Sequence, residues 1–176
     1  MKKLLLVFAH TIDESFFVGA MEAKYEKIGW QIERIIAETS LGFNEGTLSK
    51  QHPGEVEEPV YRKMVEFVPD LVVTFEPFGI TNNPDHKKIS RATTFAFQKY
   101  AKRANNPKLY YVCLPKSQNI YLRKNKITPT EPLDKSWVGT EDKKITAVID
   151  GEYFYLRMNG TKEAFMGKLD KVSDKL

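Results

Sequence analysis

Two short stretches set an imidazole and a carboxylate just past an apolar run. In the first, Leu4-Leu5-Leu6-Val7-Phe8-Ala9 stops at His10, and Asp13 follows three residues later. In the second, Leu71-Val72-Val73-Thr74-Phe75 runs into a loop that leads to Asn83-Pro84-Asp85-His86. Imidazole nitrogen and carboxylate oxygen are a workable set of zinc ligands, and three protein ligands with an open fourth position is how catalytic zinc is held. The bland alternative is that His10 only ends a strand and Asp13 only caps a helix.

The apolar runs have the length of buried strands, and each is followed by a stretch of helical spacing. In an open parallel sheet, ligands sit beyond the carboxyl ends of the strands. Two crossovers on neighbouring strands would therefore bring His10, Asp13 and His86 together. The spacing predicts a helix over 15–27, with Ser15 as one candidate cap and Gly29 beyond its end. A strand over 31–37 follows, whose Glu33 and Arg34 mark it as an edge or a partly exposed strand. After a loop over 41–46 comes a helix from about residue 58, with Pro59 in its first turn, ending before Pro69. Further on, a helix over 88–100, a buried strand over 109–114 and a short helix over 118–124 are expected. Asp150-Gly151 between β-rich runs over 143–149 and 152–158 predicts a tight hairpin. The alternation of strand and helix makes the chain α/β: a three-layer sandwich with a mostly parallel, Rossmann-like sheet in one domain over 1–176, plus a C-terminal β-hairpin.

Composition is that of an ordinary globular chain with a real core. Lys and Arg outnumber Asp and Glu by 27 to 23 in 176 residues, a net charge of +4. The excess gathers around Lys99, Lys102 and Arg103 and around Arg123, Lys124 and Lys126. Neither cluster has the aromatic interleaving of a nucleic-acid face, so both read as solvated helix ends. The single cysteine, Cys113, cannot form an internal disulfide and reads as a structural thiol. The apolar start ends at His10 with no small-residue cleavage site, so it is a strand and not a signal peptide. No stretch reaches the length of a membrane span. A soluble, cytoplasmic protein is expected. Trp137, in a proline-rich loop, reads as a packing residue.

At Ala9-His10-Thr11-Ile12-Asp13-Glu14 and Asn83-Pro84-Asp85-His86 the chain resembles the LmbE-like (PIG-L) zinc-dependent deacetylases, which act on N-acetylglucosamine conjugates and related amides. That family's signatures read Ala-His-Pro-Asp-Asp-Glu and His-Pro-Asp-His. The likeness extends to Val73-Thr74-Phe75 and Ser90-Arg91-Ala92-Thr93-Thr94 and covers nearly the whole chain. It implies zinc ligands at His10, Asp13 and His86, with Glu14 and Asp85 as supporting hydrogen-bond partners. The loop carboxylate facing the substrate falls at Glu45, with Asn44 beside it. The family's general base falls at Ile12 and its oxyanion-stabilising histidine at Asn83. An isoleucine cannot accept a proton, and an asparagine cannot carry an imidazolium charge. A helix and strand with a substrate-contacting arginine are missing after 38–40, and the 150–151 turn replaces an excursion that bears a histidine.

These features imply a zinc-dependent deacetylase-like chain with its acid–base groups impaired. In the intact reaction zinc lowers the pKa of its water to about 7 and polarises the acyl carbonyl. The alternative is a non-catalytic metal- or ligand-binding pseudoenzyme, and a nucleic-acid module ranks below both. The implied partner is a small amidosugar; no membrane partner is expected, and the oligomeric state stays open, a homo-oligomer included.

Overall fold

The structure is a computed structural model that describes residues 1–125 and 139–149. Its centre is a parallel sheet of β1 (Lys3–Phe8), β2 (Gln31–Ile36), β3 (Leu71–Phe75) and β4 (Lys108–Val112), in the order β2-β1-β3-β4. The two most apolar runs take the two central places. Leu4 to Phe8 and Val72 to Phe75 are almost wholly buried, with Leu4 opposite Leu71 and Leu6 opposite Val73. A strand covered on both faces has no polar side to alternate with, so it reads as an unbroken hydrophobic run.

Helices α1 (Asp13–Lys27), α3 (Glu57–Phe67) and α5 (Pro84–Ala101) make the long crossovers, with short turns α2 (Ala37–Ser40) and α4 (Gly79–Asn82) between them. Right-handed crossovers from β1 leftward to β2, and rightward from β2 to β3 and from β3 to β4, place α1 on one face and α3 and α5 on the other. Helices α3 and α5 pack on each other, burying Val60, Met64, Ile89, Ala92 and Ala96. The connections from β1 and from β3 thus leave in opposite directions. The cleft between their carboxyl ends is the switch point of the sheet, where an α/β fold binds ligands.

Among the described residues β2 is an outer strand, one of the two settings expected for it. Its Arg34 lies across the flank of α1, paired with Glu14, Glu22 and Glu26, and its Glu33 pairs with Lys63 of α3. Burial lifts the Glu14 and Glu22 carboxyls above their usual range against the pull of Arg34.

Three sequence expectations need correction. The strand read as buried over 109–114 is the outer strand β4 among the described residues, and its Tyr110 and Tyr111 are exposed. Cys113 lies just past it and is half-buried, with burial raising the thiol's pKa. The helix expected over 88–100 begins earlier, at Pro84, because Asn83 accepts the Asp85 N–H at 2.8 Å and proline suits the first helical position. In the first arm of the expected hairpin, 142–144 form a 3₁₀ turn and 145–149 pair with no strand among the described residues. The second arm and Trp137 lie outside the described residues. Helix α6 (Lys116–Lys124) matches the short helix expected there, one turn-fraction earlier. No described helix is long and apolar enough to cross a membrane.

Candidate metal centre

His10 follows β1 directly, and Asp13 opens α1 after a turn in which Asp13 N–H donates to the His10 carbonyl at 3.1 Å. The Asp13 carboxylate turns back and accepts the His10 N–H at 2.8 Å. It therefore does not cap α1; Ile12 holds the cap position with no side-chain bond. From across the switch point, the first turns of α5 bring in His86. One ligand atom from each of His10, Asp13 and His86 lies within 4.8 Å of the others, so this group can hold a metal ion.

The ring nitrogens are sorted by their surroundings. His86 Nδ1 lies 3.0 Å from the Gly79 carbonyl, which fixes the proton there and leaves Nε2 as the acceptor. That Nε2 is 3.2 Å from His10 Nδ1 and 3.4 Å from Asp13 Oδ1. His10 Nδ1 in turn stands 3.3 Å from Asp13 Oδ2, while its Nε2 faces Asp85 Oδ2 at 3.5 Å. The facing atoms are thus His10 Nδ1, His86 Nε2 and the Asp13 oxygens. The His86 ring lies flat on Phe75 at 4.1 Å, which holds its plane.

Electrostatics agree with this geometry. The hydrogen bond and charge of Asp13, helped by Asp85, outweigh burial and raise the His10 pKa to about 9. Burial would push Asp13 up, but bonds from His10 and His86 overcome it and lower its pKa to about 2. Asp13 and His86 are 4 % and 5 % exposed, so the charges meet where water screens them weakly.

Asp85 is buried beneath His10 and holds a separate loop. Its Oδ2 accepts the Gly46 N–H at 2.7 Å and its Oδ1 the Ser49 N–H at 2.9 Å. Those bonds overcome burial and keep its carboxyl below the usual range. Gly46 has φ +75°, a left-handed turn that glycine adopts without strain and that directs its N–H at Asp85. A cleft of about 160 Å³ opens beside His10, lined by Glu45, Gly46, Ser49, Asn83, Pro84 and Asp85.

The expected site residues divide accordingly. His10, Asp13 and His86 come together, and Asp85 supports them. Glu45 and Asn83 line the cleft, but the Asn83 carboxamide oxygen is spent on the cap of α5. Asn44 is exposed and does not line the cleft; its backbone carbonyl closes the turn to Thr47. Among the described residues Glu14, in the first turn of α1, pairs with Arg34 of β2. Ile12 is 52 % exposed.

Two carboxylates escaped the sequence reading. Glu38 accepts both the N–H and the hydroxyl of Thr11, at 3.1 and 2.7 Å, and so steadies the turn between His10 and Asp13. Buried Glu76 accepts the N–H groups of Phe78 and Ile80, at 2.8 and 2.7 Å, and shapes the loop that presents the Gly79 carbonyl to His86. A carboxylate directly after an apolar strand, as in Phe75-Glu76, was the available signal for the second.

No protein-family model matches the chain, and no curated protein matches it. Among solved structures it is similar to GalB, the 4-carboxy-2-hydroxymuconate hydratase of Pseudomonas putida KT2440. The identity is 14 % and the TM-score 0.49, over 66 % of this chain and 67 % of that one. At that distance the likeness carries no argument about activity.

Proposed function

We propose that the chain is a shortened relative of the LmbE-like (PIG-L) deacetylases, a zinc-dependent amide hydrolase for N-acetylglucosamine-type conjugates whose acid–base groups are depleted. The observation that supports it is the convergence of His10 Nδ1, Asp13 and His86 Nε2 at the switch point of a parallel sheet. Two imidazoles and a carboxylate suit zinc, and the same donor set also takes ferrous iron, so the identity of the ion is part of the test. A divalent ion held there would supply Lewis-acid polarisation of a carbonyl and an activated water.

The chain's own residues supply the rest. Asp85 and the Gly79 carbonyl orient the two imidazoles by their outer nitrogens. The cleft beside His10 admits a small acyl group, with Glu45 at its wall. Position 12 offers no proton acceptor, and the Asn83 oxygen is occupied. Loss of a positioned base lowers such a reaction roughly 10²–10⁴-fold. That same observation favours the second reading, a metal-binding protein without turnover.

The deciding experiment measures metal content by elemental analysis after purification with zinc, then acetate release from an N-acetylglucosamine glycoside. About one zinc per chain and slow release that His10→Ala abolishes support the hydrolase. Bound zinc without release supports the second reading, and absence of any bound metal refutes both.

A further inference from the structure

Two carboxylates line the cleft beside His10, and they differ in one respect. Asp85 is committed, with both oxygens taken by backbone N–H groups and one of them facing His10. Glu45 is exposed and has no hydrogen bond or ion pair with any described residue. Its position is nonetheless defined. The peptide N–H that follows it, that of Gly46, is 2.7 Å from Asp85 Oδ2, which is 3.5 Å from the His10 ring. Two covalent bonds separate that nitrogen from the Glu45 Cα. A glutamate carboxyl carbon stands three carbon–carbon bonds out from Cα, and Glu45 lines the same cleft as His10. The second clamp, Ser49 N–H on Asp85, and the bonds from Thr47 to the Asn44 carbonyl keep the loop from swinging away.

We infer that Glu45 is the proton acceptor of this centre, taking over the task that Ile12 cannot perform; the inference rests on the hydrolase reading above. During amide hydrolysis the Glu45 carboxylate accepts a proton from the attacking water as the water oxygen bonds to the acyl carbon. The carbon–nitrogen bond then breaks, and the proton passes from Glu45 to the departing nitrogen. The products are a free amine and acetic acid, so nothing beyond water is consumed. Asp85 acts as a positioning residue, because one carboxylate sets both the His10 ring and the loop that carries the acceptor. Placed on a loop, the acceptor can serve without altering the tight turn that spaces His10 from Asp13.

The test uses the full chain with cobalt(II) in place of zinc for one measurement and zinc for the other. Cobalt should broaden the side-chain NMR signals of Glu45 while leaving those of Glu66, exposed on α3, sharp. With zinc, Glu45→Gln should keep its metal and its circular dichroism spectrum but lose 10²–10⁴-fold in acetate release from methyl N-acetylglucosaminide. Glu45→Asp should retain part of the rate. Glu45 signals untouched by bound cobalt, or a Gln variant as fast as the parent, would overturn the inference. A metal-loaded parent with no acetate release would also overturn it and leave the metal centre standing. Failure to bind either ion would bring down the metal-centre reading itself.

Discussion

Gly79→Ala offers the sharpest test of how the centre is held. Gly79 has φ +70°, and a Cβ there would meet the Cβ of His86 at 2.6 Å and the backbone nitrogen of Lys87 at 3.1 Å. The left-handed conformation costs an alanine about 1–2 kcal/mol. Crowding against a packed ring costs about 1–3 kcal/mol more, since His86 is pinned between Phe75 and the Gly79 carbonyl and cannot retreat along its own axis. The variant should lose about 2–5 kcal/mol in urea denaturation, with an unchanged m-value. Any relief moves His86 Nε2 off Asp13 and His10 Nδ1, so zinc affinity should fall about 10–100-fold in a competition titration. Gly42→Ala is the internal control: φ there is +75°, but no atom lies within 4 Å of the added carbon. It should lose only the backbone contribution and bind zinc as the parent does. If the two variants lose the same stability and both keep full affinity, contact with His86 does not hold the centre and the account of Gly79 is wrong.

Asp85→Asn should weaken zinc binding about 10–100-fold and speed amide hydrogen exchange at Gly46 and Ser49 together; exchange unchanged at both would separate the loop from the centre. Metal binding must displace the proton that Asp13 and Asp85 hold on His10 up to about pH 9, so affinity should fall about tenfold per unit as pH drops below that value. Isothermal titration at pH 6.5, 7.5 and 8.5 (about one-unit steps) reads this, and a flat profile would contradict it. Ile12→Asp with Asn83→His should raise acetate release above that of the parent and of either single variant. Asn83→His alone should cost about 0.5–2 kcal/mol in thermal denaturation through the lost cap of α5; no loss would mean that the cap contributes nothing.

The parts of the site that were legible in the sequence are local. An apolar strand ending in His10, and Asn83-Pro84-Asp85-His86 before a helix, each fit within one crossover, and the sheet rule joins the two. The start of α5 was also legible, since asparagine followed by proline is a helix-opening pair, but reading Asn83 as a catalytic position hid it. What escaped depends on pairings far apart in sequence. Glu38 meets Thr11 and Asp85 meets Gly46 and Ser49, and neither partner carries a periodic or spacing signal. The outer place of β4 was missed for a related reason: Lys108-Leu109-Tyr110-Tyr111-Val112 is rich enough in β-formers for a buried strand, and only the strand order decides otherwise.

The charges on β2 have a consequence for how copies of this chain meet. An outer strand exposes a row of backbone donors and acceptors that a second chain could extend. On β2 that row is flanked by Arg34, fanned over three glutamates of α1, and by Glu33, tied to Lys63. A neighbouring strand docking there would have to strip water from this network or pull it apart, and stripping charges is costly even when they stay paired. Among the described residues, the lattice of ion pairs thus works as a guard rail against growth on the side of β2, while the candidate metal centre sits at the carboxyl ends of the two central strands.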